Sequence, residues 1–386
     1  MTTNVNHPYF NPDEVAYLCD RQRGKMTESQ ESKARIQACS FIEVVGSKIG
    51  FPRATIATAQ TLFNRFHMFY PWKEFNYSDV TMATLYVSSK LHDTLKKPRD
   101  LLMVSYAVRF PELAAKVKHG GGEVDIDPST IEADRRRLLA IERLVMETVC
   151  FNFRVRLPFS YVIKVARELK VGKHLTKLAW RLAIDSHRTM APLQYPPHVI
   201  ALASIFLAAL LDLRESVHLF PTEPEDRSSQ EIVEMLAEKG QWEQKFHAQT
   251  QDLEEICHFL LDVLLYAAET SQSSSNTTSP QTPQTPASPS HSTPYPSNPS
   301  SQHSKDPPPQ PLFPVEQLTR TKIFLRERPH PYHPRERGLI PGRDQSLFFE
   351  IEEKTAQEGV DGAGETVLNA SWKSEGTVRF LFGPEI

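Results

Sequence analysis

The stretch 77-YSDVTMATLYVSSKLHDTLKKPRDLL-102 decides how the chain is read. Val80, Ala83, Val87 and Leu91 recur at helical spacing, so one face of the segment is expected to be buried. Ser78 or Asp79 caps its start, and the helix ends before Pro98. Lys90 lies three residues after Val87 and seven after Ala83, which sets an ammonium group at the edge of that apolar face. A lysine there either snorkels, its stem on apolar surface and its head in water, or it contacts something.

Working outward, residues 28–268 are dominated by the same periodicity. Ala34, Ala38, Phe41, Val45 and Ile49 form a stripe closed by Gly50 and Pro52. Helices follow at 54–70, 78–97 and 131–153, with a short helical connection at 99–113 and another helix from Pro158 to 170. A second set comprises 175–190, the apolar 198–213, a helix near 228–238, and 250–267. Nothing between 28 and 268 reads as a strand, so the fold class is all-α. Residues 1–27 read as a polar lead-in.

Composition changes sharply near 270. Residues 271–311 are almost all Ser, Thr, Pro, Gln and Asn, too little apolar surface to offset ordering entropy, so this linker is expected to be disordered. It holds the Ser/Thr-Pro steps at Ser279, Thr282, Thr285, Ser288 and Thr293, which are either plain extended linker or phosphosites for proline-directed kinases. Residues 326–338 are basic and Pro-rich. Leu347/Phe349/Ile351 and Val378/Phe380/Phe382 alternate, as edge strands or as segments that fold on a partner. The expected division is 1–27, 28–170, 171–268, 269–312 and 313–386.

Composition excludes several classes. A net charge of −3 over 386 residues gives no global basic field for nucleic acid. Cys19, Cys39, Cys150 and Cys257 stand far apart with no CxxC pair, so neither a structural zinc nor a disulfide framework is expected. The N-terminus lacks an apolar leader, and the longest apolar run, 199–211, is too short to span a bilayer. A cytosolic or nuclear location is expected. No phosphate loop, nucleophile elbow or metal-ligand cluster is present, so neither catalysis nor a cofactor is expected.

The helices repeat. Ala83–Leu91 aligns with Ala203–Leu211, small over small and large over large, and Ile141–Met146 aligns with Ile256–Leu261. Lys90 then falls on Leu210 and Glu142 on Cys257. Glu142 also edges a buried stripe, four residues after Leu138 and three before Val145. Charges that one copy carries and the other lacks are not required by the fold. Lys90 and Glu142 thereby become candidate contacts for the backbone groups of a docked partner.

Taken in order, 35-RIQACSFIEVVGSKIGFPRATIATAQTLFNRF-66, 79-DVTMATLYVSSKLHDT-94 and 138-LLAIERLVMETVCFNFRVRLPF-159 resemble a cyclin box. Residues 179–211 and 251–265 resemble the second cyclin fold of the transcriptional cyclins T, K and L. Among these the chain is most similar to the fungal cyclin subunit of the kinase that phosphorylates the RNA polymerase II C-terminal domain.

The resemblance implies tandem five-helix cyclin folds and a non-catalytic activator of a cyclin-dependent kinase in the nucleus. It implies that Lys90 and Glu142 grip the kinase's regulatory helix, with Leu91, Met146 and Phe153 on the same docking surface. Arg35 would support the first helix of the box. Its usual acidic partner is replaced by Asn64, so that ion pair is expected to be absent. The first helix reads ARIQACSF, unlike the substrate-docking patch of cell-cycle cyclins. His92-Asp93 stands where a Glu-Glu pair is common. A third regulatory subunit is a further possible partner, and the polymerase tail would be the substrate of the complex. Two alternatives stay open: a cyclin serving another transcription or splicing kinase, and a transcription factor IIB-like nucleic-acid-binding fold. The second would be expected to show a zinc ribbon and a basic face.

Overall fold

The computed structural model describes residues 9–111, 126–149, 156–213, 226–275 and 312–328. Fourteen α-helices lie within these segments. They are α1 (Pro12–Arg23), α2 (Glu28–Ile49), α3 (Arg53–Phe69), α4 (Tyr77–Leu91), α5 (Pro98–Arg109), α6 (Pro128–Thr148) and α7 (Phe159–Glu168). They continue as α8 (Lys173–Asp185), α9 (Ala191–Gln194), α10 (Pro197–Leu213), α11 (Ser229–Ala237), α12 (Gln241–Phe246), α13 (Thr250–Ser275) and α14 (Val315–Glu327). Among the described residues the only β pairing is a single bridge, Val171 with Arg227.

Local chemistry sets the boundaries. Thr27 and Gln30 form a reciprocal capping box on α2, and Gly50 closes that helix at φ 82°, a left-handed geometry that glycine adopts without strain. Asn76, rather than Ser78 or Asp79, caps α4 by accepting from the Ser78 amide. Pro98 and Pro128 open α5 and α6, where a missing amide proton costs nothing.

Two cores result. The first gathers Ile42 and Val45 of α2, Phe63 and Phe66 of α3, Leu85 of α4, Leu101 of α5 and Val145 of α6. On α2 the buried face runs through Ile36, Cys39, Ile42 and Val45; of the expected Ala34/Ala38/Phe41/Val45/Ile49 stripe, Ala38 and Val45 are fully buried and Ala34, Phe41 and Ile49 partly so. Gly46 sits where α2 meets α3, and a Cβ there would lie 2.7 Å from Ile56 Cγ1. The second core wraps α10, buried on every side from Val199 to Leu211. Helix α7 gives Val162, Val165 and Ala166 to this second core. Residues 159–168 therefore pack with the second unit, although the boundary at 170 put them in the first.

Two terminal readings are corrected. The expected polar lead-in contains α1, whose Val15 and Cys19 pack against Met68 and Leu193. The C-terminal extension begins with α14, and Phe313, Leu318 and Leu325 belong to the second core. Helix α13 runs on through Ser275, past the expected end of the second unit at 268. The alternating segments 347–351 and 378–382 lie outside the described residues.

A polar seam joins the halves. Asn64 Nδ2 donates to the carbonyls of His187 and Thr189, each at 3.1 Å. Thr61 Oγ1 and His187 Nδ1 are 2.9 Å apart, and beside them, within the first unit, Gln60 Nε2 donates to the Cys39 carbonyl at 3.0 Å. Burial makes these bonds costly to lose, since each freed partner stays dry.

Candidate functional site

Helices α4 and α6 pack side by side and bring together the two ionisable groups that sequence placed on separate apolar edges. Lys90 Nζ donates to Glu142 Oε1 at 2.5 Å. The pair is asymmetric: the Glu142 side chain is 7% exposed and that of Lys90 42%. The carboxylate is thus set into the helix interface while the ammonium stands at its mouth. Lys90 Nζ also lies 4.4 Å from the centre of the Tyr86 ring, one turn earlier on α4. Burial lowers the lysine pKa, but the hydrogen bond and charge of Glu142, with Tyr86, more than offset this and leave it above its ordinary value. The ammonium is therefore charged at neutral pH, held in place, and open to solvent on its outer side. Such a group can donate further hydrogen bonds to the carbonyls of a docked chain.

Leu91 and Met146 are half-buried and pack against the first core from its rim, flanking the pair. Four of the expected contact residues thus lie on the adjoining helices α4 and α6, Leu91 next to Lys90 and Met146 one turn after Glu142. Phe153 lies outside the described residues, as do Ser279, Thr282, Thr285, Ser288 and Thr293. Beside Leu91 the chain is pinned to α3: His92 Nε2 is 2.8 Å from Thr58 Oγ1, and Thr94 Oγ1 is 3.1 Å from Thr55 Oγ1. This fixes the C-terminal end of α4, so the surface is largely preorganised.

Arg35 lies apart from this surface and is buried. It pairs with Glu31 at 2.6 Å, donates to the Asn64 backbone carbonyl at 2.9 Å, and sits 5.3 Å from the centre of the Trp72 ring. Its acidic partner is one turn back on α2 rather than on α3. Glu31, which the sequence reading missed, also accepts from Arg23 at 2.7 Å and so links α1 to α2. The i,i+4 spacing of Glu31 and Arg35 was the available signal. Arg135, Arg136 and Arg137 lie on an exposed face and pair with Glu132, Asp134 and Asp79. Arg328, from the basic, Pro-rich stretch 326–338, is ion-paired with Glu254 at 3.3 Å. Among the described residues no group of three or more His, Cys, Asp or Glu is placed to hold a metal ion.

The internal repeat puts Leu210 and Cys257 at the positions of Lys90 and Glu142. Both are buried, Leu210 at 1% and Cys257 at 0% exposure. Cys257 Sγ lies 3.6 Å from the Ala203 carbonyl. Paired positions along the helices agree in burial: Leu138 with Leu253, Ile141 with Ile256, Val145 with Leu260, Leu85 with Ile205.

Residues 9–154 match the family model for the cyclin N-terminal domain. The chain is 33% identical over 215 residues to the CTD kinase subunit beta of Schizosaccharomyces pombe, covering 55% of this chain and 60% of that protein. It is 26% identical to cyclin-K of Danio rerio, covering 68% of this chain and 57% of the relative. It is 32% identical over 182 residues to cyclin pch1 of Schizosaccharomyces pombe, covering 46% of this chain and 51% of the relative. The chain thus spans 60% or less of the length of these relatives. A chain in the crystal structure of the yeast RNA Pol II CTD kinase CTDK-1 complex shares the fold over 68% of this chain and 75% of that one, with a TM-score of 0.53 at 21% identity.

Proposed function

We propose that the chain is the regulatory, non-catalytic cyclin subunit of a nuclear cyclin-dependent kinase that phosphorylates the RNA polymerase II C-terminal domain and so promotes elongation. The observation that carries this reading is the Lys90–Glu142 pair, its ammonium solvent-facing in the first copy, at positions taken by buried Leu210 and Cys257 in the second. The Schizosaccharomyces pombe relative, a CTD kinase subunit, supports the substrate.

In this proposal Lys90, Glu142, Leu91 and Met146 dock the kinase's regulatory helix, and Phe153 completes the surface. Docking favours the kinase state in which the helix glutamate meets the ATP-binding lysine. The activation equals the difference in affinity for the two kinase states; moving a kinase from 1:99 to 99:1 takes about 5.5 kcal/mol. The chemistry stays on the kinase, and this chain contributes shape and one held charge. The first box then covers α2 to α6, and the second begins at α7, where the packing changes partner. The Ser/Thr-Pro steps from Ser279 to Thr293 are candidate substrates of the bound kinase, and a third subunit is compatible with the same arrangement. The second reading, a cyclin of another transcription kinase, rests on the similarity to cyclin-K.

The test is a pull-down from nuclear extract with wild-type and Lys90→Ala/Glu142→Ala chains, assayed on a polymerase-tail peptide. The wild type is expected to recover tail-kinase activity; the variant, folded by circular dichroism, is expected to recover none. Equal recovery removes the docking assignment.

A further inference from the structure

Helix α14 lies on the second unit in a specific way. Gln317 Nε2 donates to the Leu211 carbonyl at the end of α10, at 2.9 Å. Lys322 pairs with Asp262 of α13. Arg328 pairs with Glu254 of the same helix and donates to the Ala237 carbonyl. As α14 advances from 322 to 328 its partners retreat from 262 to 254, so the two helices run antiparallel. The stripe Leu318, Thr321 and Leu325 is buried beneath these pins.

The internal repeat translates this seat. Leu211 is the counterpart of Leu91, Asp262 of Glu147, Glu254 of Leu139, and the fully buried Leu261 that of the half-buried Met146. Helix α14 therefore lies across the second copy of the face that the first copy leaves open. In the first copy that face carries Lys90 and an Arg143 side chain 80% exposed. In the second, the charged pair has become Leu210 and Cys257, which suits the face to an apolar stripe. Its acidic rim, Glu254 and Asp262, opposes Lys322 and Arg328 on the helix.

We propose that the α10/α13 face is a helix-binding groove in its own right and that residues 312–328 are its tethered ligand. They are held by their own stripe and pins rather than by chain connectivity. The groove takes an amphipathic helix with leucine-like residues at i and i+7, a small residue at i+3, a donor in its first turn, and basic residues toward its C-terminal end. By occupying it, α14 leaves the first copy as the open one among the described residues. The 36 residues from 276 to 311 form the tether. A tether that spans its sites supplies an effective concentration on the order of 1 mM, so a free affinity of about 10 μM keeps the groove about 99% filled.

The test uses the full chain and a fluorescent peptide of residues 312–328, without any kinase, so it is independent of the proposed partner. Leu318→Glu/Leu325→Glu unseats the helix in cis. The peptide is expected to bind this variant at about 10 μM by anisotropy and the wild type at least about 30-fold more weakly, because the wild-type groove is filled. A peptide carrying Leu318→Glu should bind neither. Absence of saturable binding to a folded variant, or equal binding to variant and wild type, overturns the proposal. If the variant does not fold, the wild-type chain cut at a protease site engineered between 276 and 311 replaces it. Labelled peptide must then exchange into the cut chain, and failure to exchange overturns the proposal equally.

Discussion

Helices α4 and α6 of the first box and α10 and α13 of the second are the same pair of elements built twice. The buried positions coincide along both, so the copies solve one packing problem with one pattern. They part most clearly where the first copy carries its ionisable pair. Where the second copy has Leu210 and Cys257 under a covering helix, the first has a lysine bonded to a carboxylate, with nothing over it among the described residues. The second copy shows that the fold closes with apolar groups there. The charged pair is therefore an addition to the fold, and an addition at an open surface points to recognition.

Moving the charge across the repeat should give the largest effect. Leu210→Lys places an ammonium in a fully buried position without a partner, which costs about 4 kcal/mol. Urea denaturation of the full chain would read this as an early loss of the second unit. Adding Cys257→Glu supplies the carboxylate at the position of Glu142. If the copies are geometrically equivalent, the double variant regains at least about 1 kcal/mol over the sum of the singles. Strict additivity would break the equivalence on which the comparison rests.

Acid should also separate the regions, by about half as much. His67 is buried in the first core, stacked on Trp72 at 3.9 Å, and His187 lies in the seam. Burial, with Arg35 in the case of His67, pushes both imidazoles down to about 3. Their folded pKa lies below the unfolded value of about 6.5, so between the two the unfolded chain binds more protons. This stability is present above pH ~6.5 and is lost as pH falls toward 3. From pH 6.5 to 5 each histidine accounts for up to about 2 kcal/mol. His67→Phe should reduce the decline in urea stability over that interval by about this amount. An unchanged slope would mean that the first core does not hold a neutral imidazole.

Much of this was legible because the repeat is written in burial. The stretch 80–91 and its counterpart 200–211 carry matching apolar positions, and the period alone separates helix from strand. What sequence missed was carried by polar residues. Helix α1 buries only Val15 and Cys19, too few for a periodic signal, although Asn11, Pro12 and Glu14 form a readable capping box. Helix α14 follows a long Ser/Pro segment and buries a threonine in its stripe, so its amphipathic face was hidden in an unpromising context. Arg35 was judged by its partner on α3 and found another at Glu31 instead. The pairing of Lys90 with Glu142 spans 52 residues of sequence. Spacing placed each on an edge, and only the packing of α4 on α6 makes the two edges meet.

The smallest effect on the fold is the most informative. Lys90→Met should change the stability of the free chain by about 1 kcal/mol, because the ammonium it removes is 42% exposed and screened, while the carboxylate it leaves, 7% exposed, loses one hydrogen bond. The raised pKa of Lys90 sets its pH dependence. The pairing is fully present below the ordinary lysine value and fades only as pH rises through the higher folded value. Wild type and Lys90→Met should therefore converge at strongly alkaline pH and differ by a constant small amount near neutrality. Kinase recruitment should respond differently, falling at least about 30-fold, because a docked partner removes the water that screens the ammonium. Denaturation and recruitment measured on the same preparations separate the two roles. A loss of more than about 2 kcal/mol in the free chain would make Lys90 a structural residue of the first box. The contrast with Leu210 would then be a difference in how two copies fold, not in what they bind.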